Sequence, residues 1–376
     1  MAPVDAAPDG AARRVRLSRS RAGTHRCSLR RGATLALSHH AVGTPSALVP
    51  ITPAHNRARA FGRVFCGTLK HFADPNGRPW GECSRYLESV DAPPPKPDEL
   101  SLTSRVLFVA GFGDECMKDV RAFGPSIAHL KDEHAVEVET YRSAPYASSA
   151  ENGRAIARRI DESLKADPMH RRFILVGYSK GAVDLLEALD LLDGPVTKVS
   201  ALITIAGMVS GTPEARAFRA LFAPARPWID PRCPTNIGNA VDELLPDVRL
   251  RLAKHSAPLV PTYAVVGVTS SEATSKVFQD SWKRLSRYAA EQDGVLPAWH
   301  GVLDGATFLG VVRADHWAVA LPFDETGNRP KAIDRNRFPR DALFEALLRF
   351  VSSDLAKTDR AQPSETASPR AGQNTH

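Results

Sequence analysis

The middle of the chain contains the run Phe173-Ile174-Leu175-Val176-Gly177-Tyr178-Ser179-Lys180-Gly181, followed by a helix-like stretch over 182–189. The four leading apolar residues predict a buried strand, and the segment after Gly181 has the pattern of a helix. The pattern Gly-x-Ser-x-Gly between a strand and a helix predicts a very sharp turn at the serine. The residues two positions before and after the serine must then be small. Such a turn lifts the hydroxyl above the sheet and predicts that Ser179 is a nucleophile. The plainer alternative is an ordinary strand-to-helix turn with a capping serine.

Apolar runs with the length of strands recur on both sides of this segment. Together with 173–176, the predicted strands cover 106–110, 136–140, 199–206, 263–268 and 307–312. Helix-like stretches lie between and after them, over 118–132, 149–166, 181–192, 276–290 and 340–355. Continuous apolar strands that alternate with helices predict an α/β fold, with a doubly wound, mostly parallel sheet covered by helices on both faces.

The composition divides the chain into four predicted segments. Residues 1–60 form a basic N-terminal extension without apolar periodicity, expected to be disordered. Residues 61–98 are an apolar segment ending in a Pro-rich linker, and they are expected to pack on the core. The main domain covers 99–357, with a helical cap or lid inserted over about 208–260, and 358–376 is a polar tail expected to be disordered.

The positive charge is concentrated in the leader. The chain has 376 residues and a formal net charge of +7, whereas residues 1–60 hold ten Arg, no Lys and two Asp. The remainder is nearly neutral, and basic residues are not interleaved with aromatic ones, which argues against a nucleic-acid-binding surface. The 43% hydrophobic content suits a soluble globular protein. No apolar run is long enough to predict a transmembrane helix.

The leader and the cysteines are the sequence features that indicate the cellular compartment of the protein. The Arg- and Ser-rich, acid-poor leader is typical of a transit peptide, and Arg30-Arg31 before a short apolar run resemble a twin-Arg signal. Because Ser38-His39-His40 interrupts that run, a disordered extension of a cytoplasmic protein is favoured over export or organellar targeting. Five cysteines without C-x-x-C or metal-type spacing are then expected to be free thiols, although Cys66 and Cys83 are candidates for a disulfide if the protein is exported.

An activated serine needs a base and an acid that orients the base. His316 directly follows the last predicted strand, which is where parallel strands present catalytic loops, and it is the predicted base. Asp293, in an Asp-Gly turn 23 residues earlier, is the predicted acid. Glu272 is its main rival because it follows the preceding strand closely. Asp304 and Asp315 are weaker rivals. Asp315 adjoins His316 in sequence, so its carboxylate would have difficulty reaching the imidazole of that histidine.

Two backbone N–H groups are expected to form an oxyanion hole. One is that of Lys180, and the other is that of Phe112, in the loop after the first core strand. That loop contains Gly111-x-Gly113, but Cys116 replaces the third glycine of a dinucleotide-binding motif, so no nucleotide cofactor is expected. No metal or other cofactor is expected either. The Lys180 side chain is predicted to face solvent, where its charge would favour anionic substrates.

The order Ser179, Asp293, His316 on alternating strands and helices resembles the α/β-hydrolase superfamily. Two segments resemble its bacterial lipases and esterases: residues 206–215, which contain Gly-Thr-Pro after a strand, and the histidine loop 314–319. The resemblance covers about 100–355. Ala110-Gly111 departs from the usual His-Gly of the oxyanion loop.

The predicted function is a serine hydrolase that cleaves small-molecule carboxylic esters through an acyl-enzyme. Alternatives with the same fold are a thioesterase, an acyltransferase or a non-catalytic binding protein. A peptidase has no specific mark in the sequence.

Overall fold

The computed structural model describes residues 55–88, 99–117, 119–144, 147–218, 238–252, 257–325 and 331–361. Its six strands form one sheet: β1 (Arg105–Val109), β2 (Val138–Tyr141), β3 (Phe173–Tyr178), β4 (Val199–Ile205), β5 (Thr262–Gly267) and β6 (Thr307–Val312). The strand order is β2-β1-β3-β4-β5-β6, and each neighbouring pair is parallel. Parallel strands place all their carboxyl ends on one edge of the sheet.

Nine α-helices lie in the described residues: α1 (Ala58–Leu69), α2 (Gly124–His134), α3 (Ser149–Ala166), α4 (Lys180–Leu189), α5 (Pro195–Lys198), α6 (Gly238–Asp242), α7 (Pro246–Leu252), α8 (Gln279–Leu285) and α9 (Arg340–Ala361). Side chains alternate between the two faces of each strand, so the sheet has a core on each side. Phe108 and Val176 face the cluster that includes α1, α2 and α9. Leu107 and Leu175 face α3 and α4. The predicted doubly wound α/β fold is confirmed.

All six predicted strands are present, and their bounds differ from the predicted ones by two residues at most. The helix predictions are less accurate. Helix α2 begins at Gly124 and not at residue 118, since Pro125 favours the first turn of a helix and Asp114 holds the preceding loop through the Ala122 N–H. Helix α8 ends at Leu285, because the amides of Arg287 and Tyr288 bond back three residues in tighter turns.

The first predicted boundary, at residue 60, is misplaced. Helix α1 begins at Ala58, and the Arg57 N–H donates to the Phe308 carbonyl at 2.8 Å. The Arg57 guanidinium pairs with Asp354 at 3.2 Å and lies over the Phe350 ring. Residues 55–60 therefore belong to the domain. Residues 1–54 and the Pro-rich linker lie outside the described residues.

The segment that directly follows α1 is joined to this helix by a covalent bond. Cys66 on α1 and Cys83 form a disulfide, and Cys116 is also disulfide-bonded, so the expectation of five free thiols is wrong. The pair is the one named above as the candidate disulfide. No helix in the described part of the chain is long and apolar enough to cross a membrane.

The predicted insertion is described only in part. Residues 219–237 and 253–256 lie outside the described residues, and the part between them contains two short helices, α6 and α7, separated by a turn that precedes Pro246. The Thr212 N–H donates to the Leu244 carbonyl at 2.7 Å. A lid function of this insertion stays a prediction. At the other end, α9 continues to Ala361, so its last four residues fall within the predicted tail, and 362–376 lie outside the described residues.

Candidate active site

Ser179 occupies the turn between β3 and α4. Its backbone has φ 56° and ψ −124°, a conformation that is unfavourable for residues with a side chain. The surroundings hold the residue in place, since the Ser179 N–H donates to the Ile205 carbonyl at 3.1 Å and the Ser179 carbonyl accepts from the Met208 N–H at 3.1 Å. The predicted sharp strand-to-helix turn is present, and Ser179 does not act as an ordinary side-chain cap of α4.

The glycines on either side have the steric role that the motif predicts. A Cβ atom at Gly177 would lie 2.6 Å from the Cα of Ala182. A Cβ atom at Gly181 would overlap the carbonyl oxygens of Val109 and Ala110. Real Cβ atoms do not approach backbone atoms so closely, so β1, β3 and α4 can meet at this point only without side chains.

His316 lies in the loop after β6, and its imidazole reaches Ser179. The distance from His316 Nε2 to Ser179 Oγ is 2.9 Å. The backbone of the histidine is held on both sides: its N–H donates to the Asp293 carbonyl at 2.9 Å, and its carbonyl accepts from the Tyr178 hydroxyl at 2.6 Å. Tyr178 is a supporting residue that sequence reasoning missed, although its place next to Ser179 in the motif was a signal.

Asp293 is the carboxylate that contacts His316. Its Oδ2 lies 2.6 Å from His316 Nδ1. Its Oδ1 accepts from the N–H groups of Val295 and Leu296 at 3.0 and 2.7 Å, in a turn that includes Gly294 at φ 89°. The Asp-Gly step thus forms the predicted tight turn, and the carboxylate is both buried and fixed in direction.

The three rival acids lie elsewhere. Glu272 and Asp304 are exposed. Asp315 is buried, but its carboxylate accepts from the N–H groups of Ser275 and Ala318, both at 2.9 Å. Burial raises the pKa of Asp315 above its usual range. This residue therefore holds the histidine loop in shape, and it is not aimed at the imidazole.

The loop after β1 passes directly over the serine. A Cβ atom at Gly111 would lie 2.8 Å from the Cβ of Ser179, so Phe112 is brought to the edge of the site. Lys180 is the first residue of α4, where a backbone N–H has no carbonyl partner within the helix. The two residues predicted to form the oxyanion hole thus flank Ser179 from two different elements.

The prediction that the Lys180 side chain faces solvent is wrong. Lys180 is 2% exposed, and its Nζ donates to Asp184 Oδ1 at 2.6 Å and lies 3.6 Å from Glu243 Oε1. The Asn152 amide donates to the second Asp184 oxygen at 2.8 Å. Asp184 therefore ties α4 to α3, and the ammonium group ties α4 to the turn after α6. A buried charge with two carboxylates does not recruit anionic substrates.

The walls of the cavity above Ser179 are mainly apolar. The apolar side chains that line it are Phe112, Met117, Met208, Phe218, Phe278, Val295, Trp317 and Leu321. Asp114 is an acidic residue in this wall that sequence reasoning missed, since nothing in the loop sequence predicts its burial. Burial raises the pKa of the Asp114 carboxyl to about 6, although the Ala122 N–H donates to it at 2.9 Å.

The fold has clear relatives among solved structures. A metagenomic carboxyl esterase is 28% identical over 83% of this chain and 97% of that chain, with a TM-score of 0.68. The mature form of a Bacillus licheniformis lipase is 19% identical over 67% of this chain and 94% of that chain, with a TM-score of 0.49. A thioesterase of prodiginine biosynthesis from Streptomyces coelicolor is 16% identical over 70% and 90%, with a TM-score of 0.36.

A scan against models of protein families gives no match, and a search of curated proteins gives none. The fold and the structural relatives nevertheless agree. The chain has an α/β-hydrolase-like fold that resembles bacterial esterases, as the sequence motifs predicted.

Proposed function

We propose that this protein is a serine hydrolase that cleaves carboxylic esters, with Ser179 as nucleophile, His316 as general base and Asp293 as the acid that orients the base. The observation that carries the proposal is the continuous relay from Ser179 Oγ to His316 Nε2 (2.9 Å) and from His316 Nδ1 to Asp293 Oδ2 (2.6 Å). Both contacts have the geometry that an activated serine requires. The carboxyl esterase of similar fold also supports it.

In this mechanism His316 takes the proton from Ser179 as Oγ attacks the ester carbonyl. The Phe112 and Lys180 N–H groups stabilise the oxyanion. His316 then gives its proton to the departing alcohol oxygen, which leaves an acyl-enzyme. In the second half, His316 takes a proton from water, hydroxide attacks the acyl carbon, and Ser179 is released with its proton restored. Asp293 stabilises the imidazolium that forms in both halves.

The cavity favours uncharged, apolar ester groups as substrates. Its described lining residues include eight apolar side chains and no Lys or Arg. Burial of an apolar acyl or alcohol group against them is favourable by about 25 cal/mol per Å². A substrate with a carboxylate near the ester would meet the Asp114 side chain and find no described cation in the wall.

The first test is Ser179→Ala with a series of p-nitrophenyl esters. We expect a loss in kcat on the order of 10⁴-fold or more, because no other group replaces the nucleophile. A fluorophosphonate probe should label the wild-type protein at Ser179 and leave Ser179→Ala unlabelled. Far-UV circular dichroism should match for the two proteins.

Wild-type turnover by a purified Ser179→Ala protein would contradict the proposal. A wild-type protein that is neither labelled nor active would favour the non-catalytic alternative. Acyl-CoA substrates in the same assay distinguish thioester hydrolysis, since a higher kcat/KM for them would assign the site to the thioesterase alternative.

A further inference from the structure

A second cluster of reactive side chains lies on α2 and α9, among residues that do not line the Ser179 cavity. His129 and His134 belong to α2, and Glu345 belongs to α9. The Nε2 atoms of the two histidines lie 3.0 and 3.1 Å from the same oxygen, Glu345 Oε2. All three ligand-type atoms lie within 4.8 Å of one another. The two helices thus present two imidazoles and one carboxylate to a single point.

The neighbours of the cluster fix its orientation. Arg349 Nε donates to Glu345 Oε1 at 2.7 Å, which leaves Oε2 to face the two histidines. The Phe72 ring packs on the imidazole of His129 with centroids 4.6 Å apart, so the ring of His129 is confined. Outer contacts of this kind commonly hold metal ligands in position.

We propose that His129, His134 and Glu345 bind a zinc ion. Two histidines and one glutamate are a recurrent zinc ligand set, and bonds of about 2.0–2.1 Å in tetrahedral geometry separate neighbouring ligand atoms by roughly 3.3 Å. The two nitrogen-to-oxygen distances, 3.0 and 3.1 Å, are close to that separation. A small relaxation of the side chains would place a cation between the three atoms.

The local charge also suits a cation. Glu345 is buried, whereas the side chains of His129 and His134 are 30% and 20% exposed, so a zinc ion could enter from solvent and keep a water as fourth ligand. The carboxylates of Glu133 and Asp341 add negative charge near His129. The Arg349 guanidinium acts in the opposite direction, because it is a positive charge bound to Oε1 of Glu345.

The arrangement differs from a plain hydrogen-bonded cluster in where the protons must lie. Without a metal, each Nε2 must carry a proton to donate to Glu345 Oε2. With zinc bound, both Nε2 atoms offer lone pairs and the protons lie on Nδ1. The ion would join α2 to α9, the last helix in the part of the chain that the structure describes. Neither helix lines the cavity above Ser179, so the cross-link between them is separate from the ester chemistry there.

The test uses the full chain without a polyhistidine tag, stripped with a chelator and dialysed. Titration with ZnCl₂ should give one bound ion per chain by calorimetry and by elemental analysis. Addition of zinc should raise the melting temperature. Co²⁺ in place of zinc should give the visible absorption of a tetrahedral site, and nitrogen-15 spectra should place the imidazole protons of both histidines on Nδ1.

His129→Asn/His134→Asn and Glu345→Gln should each weaken zinc binding at least tenfold and abolish the zinc-dependent rise in melting temperature. The matched control is His71→Asn, an exposed histidine next to Phe72, which should bind zinc as the wild type does. Ester turnover of the stripped variants should equal that of the stripped wild type.

Three results would overturn the proposal: no zinc bound by the wild type, equal binding by wild type and Glu345→Gln, or tighter binding of Mg²⁺ or Ca²⁺ than of zinc. If the double variant does not fold, Glu345→Gln alone decides. None of these readouts depends on whether Ser179 is a nucleophile.

Discussion

At Ser179 an unfavourable backbone conformation places the hydroxyl within 2.9 Å of a histidine. A φ of 56° costs on the order of 1–3 kcal/mol for a residue with a side chain. The cost is offset by the packing of β3 and α4 around the turn, where Gly177 and Gly181 allow their close approach. The surrounding fold thus imposes the strained backbone conformation on Ser179.

The assignment of the acid can be tested by comparing Asp293→Asn with Glu272→Gln. Each substitution keeps the size of the side chain and removes its charge. Asp293→Asn should lower kcat by about 10²–10⁴-fold, because the imidazolium loses its buried partner. Glu272→Gln should leave kcat unchanged, since Glu272 is exposed and His316 contacts another carboxylate. If Glu272→Gln lost activity and Asp293→Asn kept it, Glu272 would be the acid and the assignment would be reversed.

Asp114 predicts a specific pH dependence of stability. Its pKa is 3.8 in the unfolded reference and about 6 in the folded protein. A raised folded pKa means that the stabilising contribution is complete below about pH 4 and is lost as the pH rises through 6. Relative to Asp114→Asn, the wild type should therefore lose up to about 3 kcal/mol of unfolding free energy between pH 4 and 7.

Denaturant unfolding of both proteins across this range checks the Asp114 prediction. Asn keeps an oxygen that can accept from the Ala122 N–H, so the comparison isolates the titration. Stability curves that stay parallel from pH 4 to 7 would show that Asp114 does not titrate there.

Among the secondary-structure elements, β3 and α4 approach each other too closely near the site for a side chain to fit between them. Gly177→Ala would place a methyl group 2.6 Å from the Ala182 Cα, and a backbone atom cannot move aside as a flexible side chain can. We expect a loss of about 1–3 kcal/mol in unfolding free energy, with a large loss of ester turnover as Ser179 is displaced.

The control for this substitution is Gly124→Ala in the first turn of α2. The nearest atom to its added methyl group, Arg121 Cβ, lies at 3.4 Å, an ordinary contact. Its stability should stay within about 0.5 kcal/mol of the wild type and its activity should be unchanged. Equal behaviour of the two variants in urea unfolding would argue against the steric role of Gly177.

For the whole molecule, the structure moves the boundary between the leader and the domain. Residues 1–54 hold eight Arg, no Lys and two Asp, so their removal leaves a nearly neutral chain. The described residues that line the cavity all lie after residue 110. Deletion of 1–54 should therefore preserve folding and ester turnover, and it should abolish any salt-sensitive binding to anionic lipid or nucleic acid.

Deletion of 1–69 is the matched control, because it removes α1 with Phe61 and Phe65, both fully buried, and one half of the Cys66–Cys83 disulfide. This protein should not fold stably, as judged by circular dichroism and proteolysis. If the 70–376 chain is folded and active, or if the 55–376 chain does not fold, the boundary between leader and domain does not lie at residue 55.

The strands, their parallel direction and the Ser179 turn could be predicted from sequence because they depend on local patterns: continuous apolar runs, glycine spacing and the residues that follow each strand. His316 and Asp293 were predictable for the same reason, since each directly follows a strand end or a turn signal. Only the tertiary structure shows that Asp293, and not Glu272, contacts His316, because that contact depends on which carboxylate reaches the imidazole across 23 residues of chain.

Burial of charge was likewise decided by tertiary structure. Lys180 was predicted to face solvent, and it is buried because a segment distant in sequence, the turn with Glu243, packs over it. The cluster of His129, His134 and Glu345 joins residues more than 200 positions apart. Sequence patterns indicate the secondary structure that neighbouring residues along the chain can form. Contacts between side chains distant in sequence exist only after the helices have packed on the sheet.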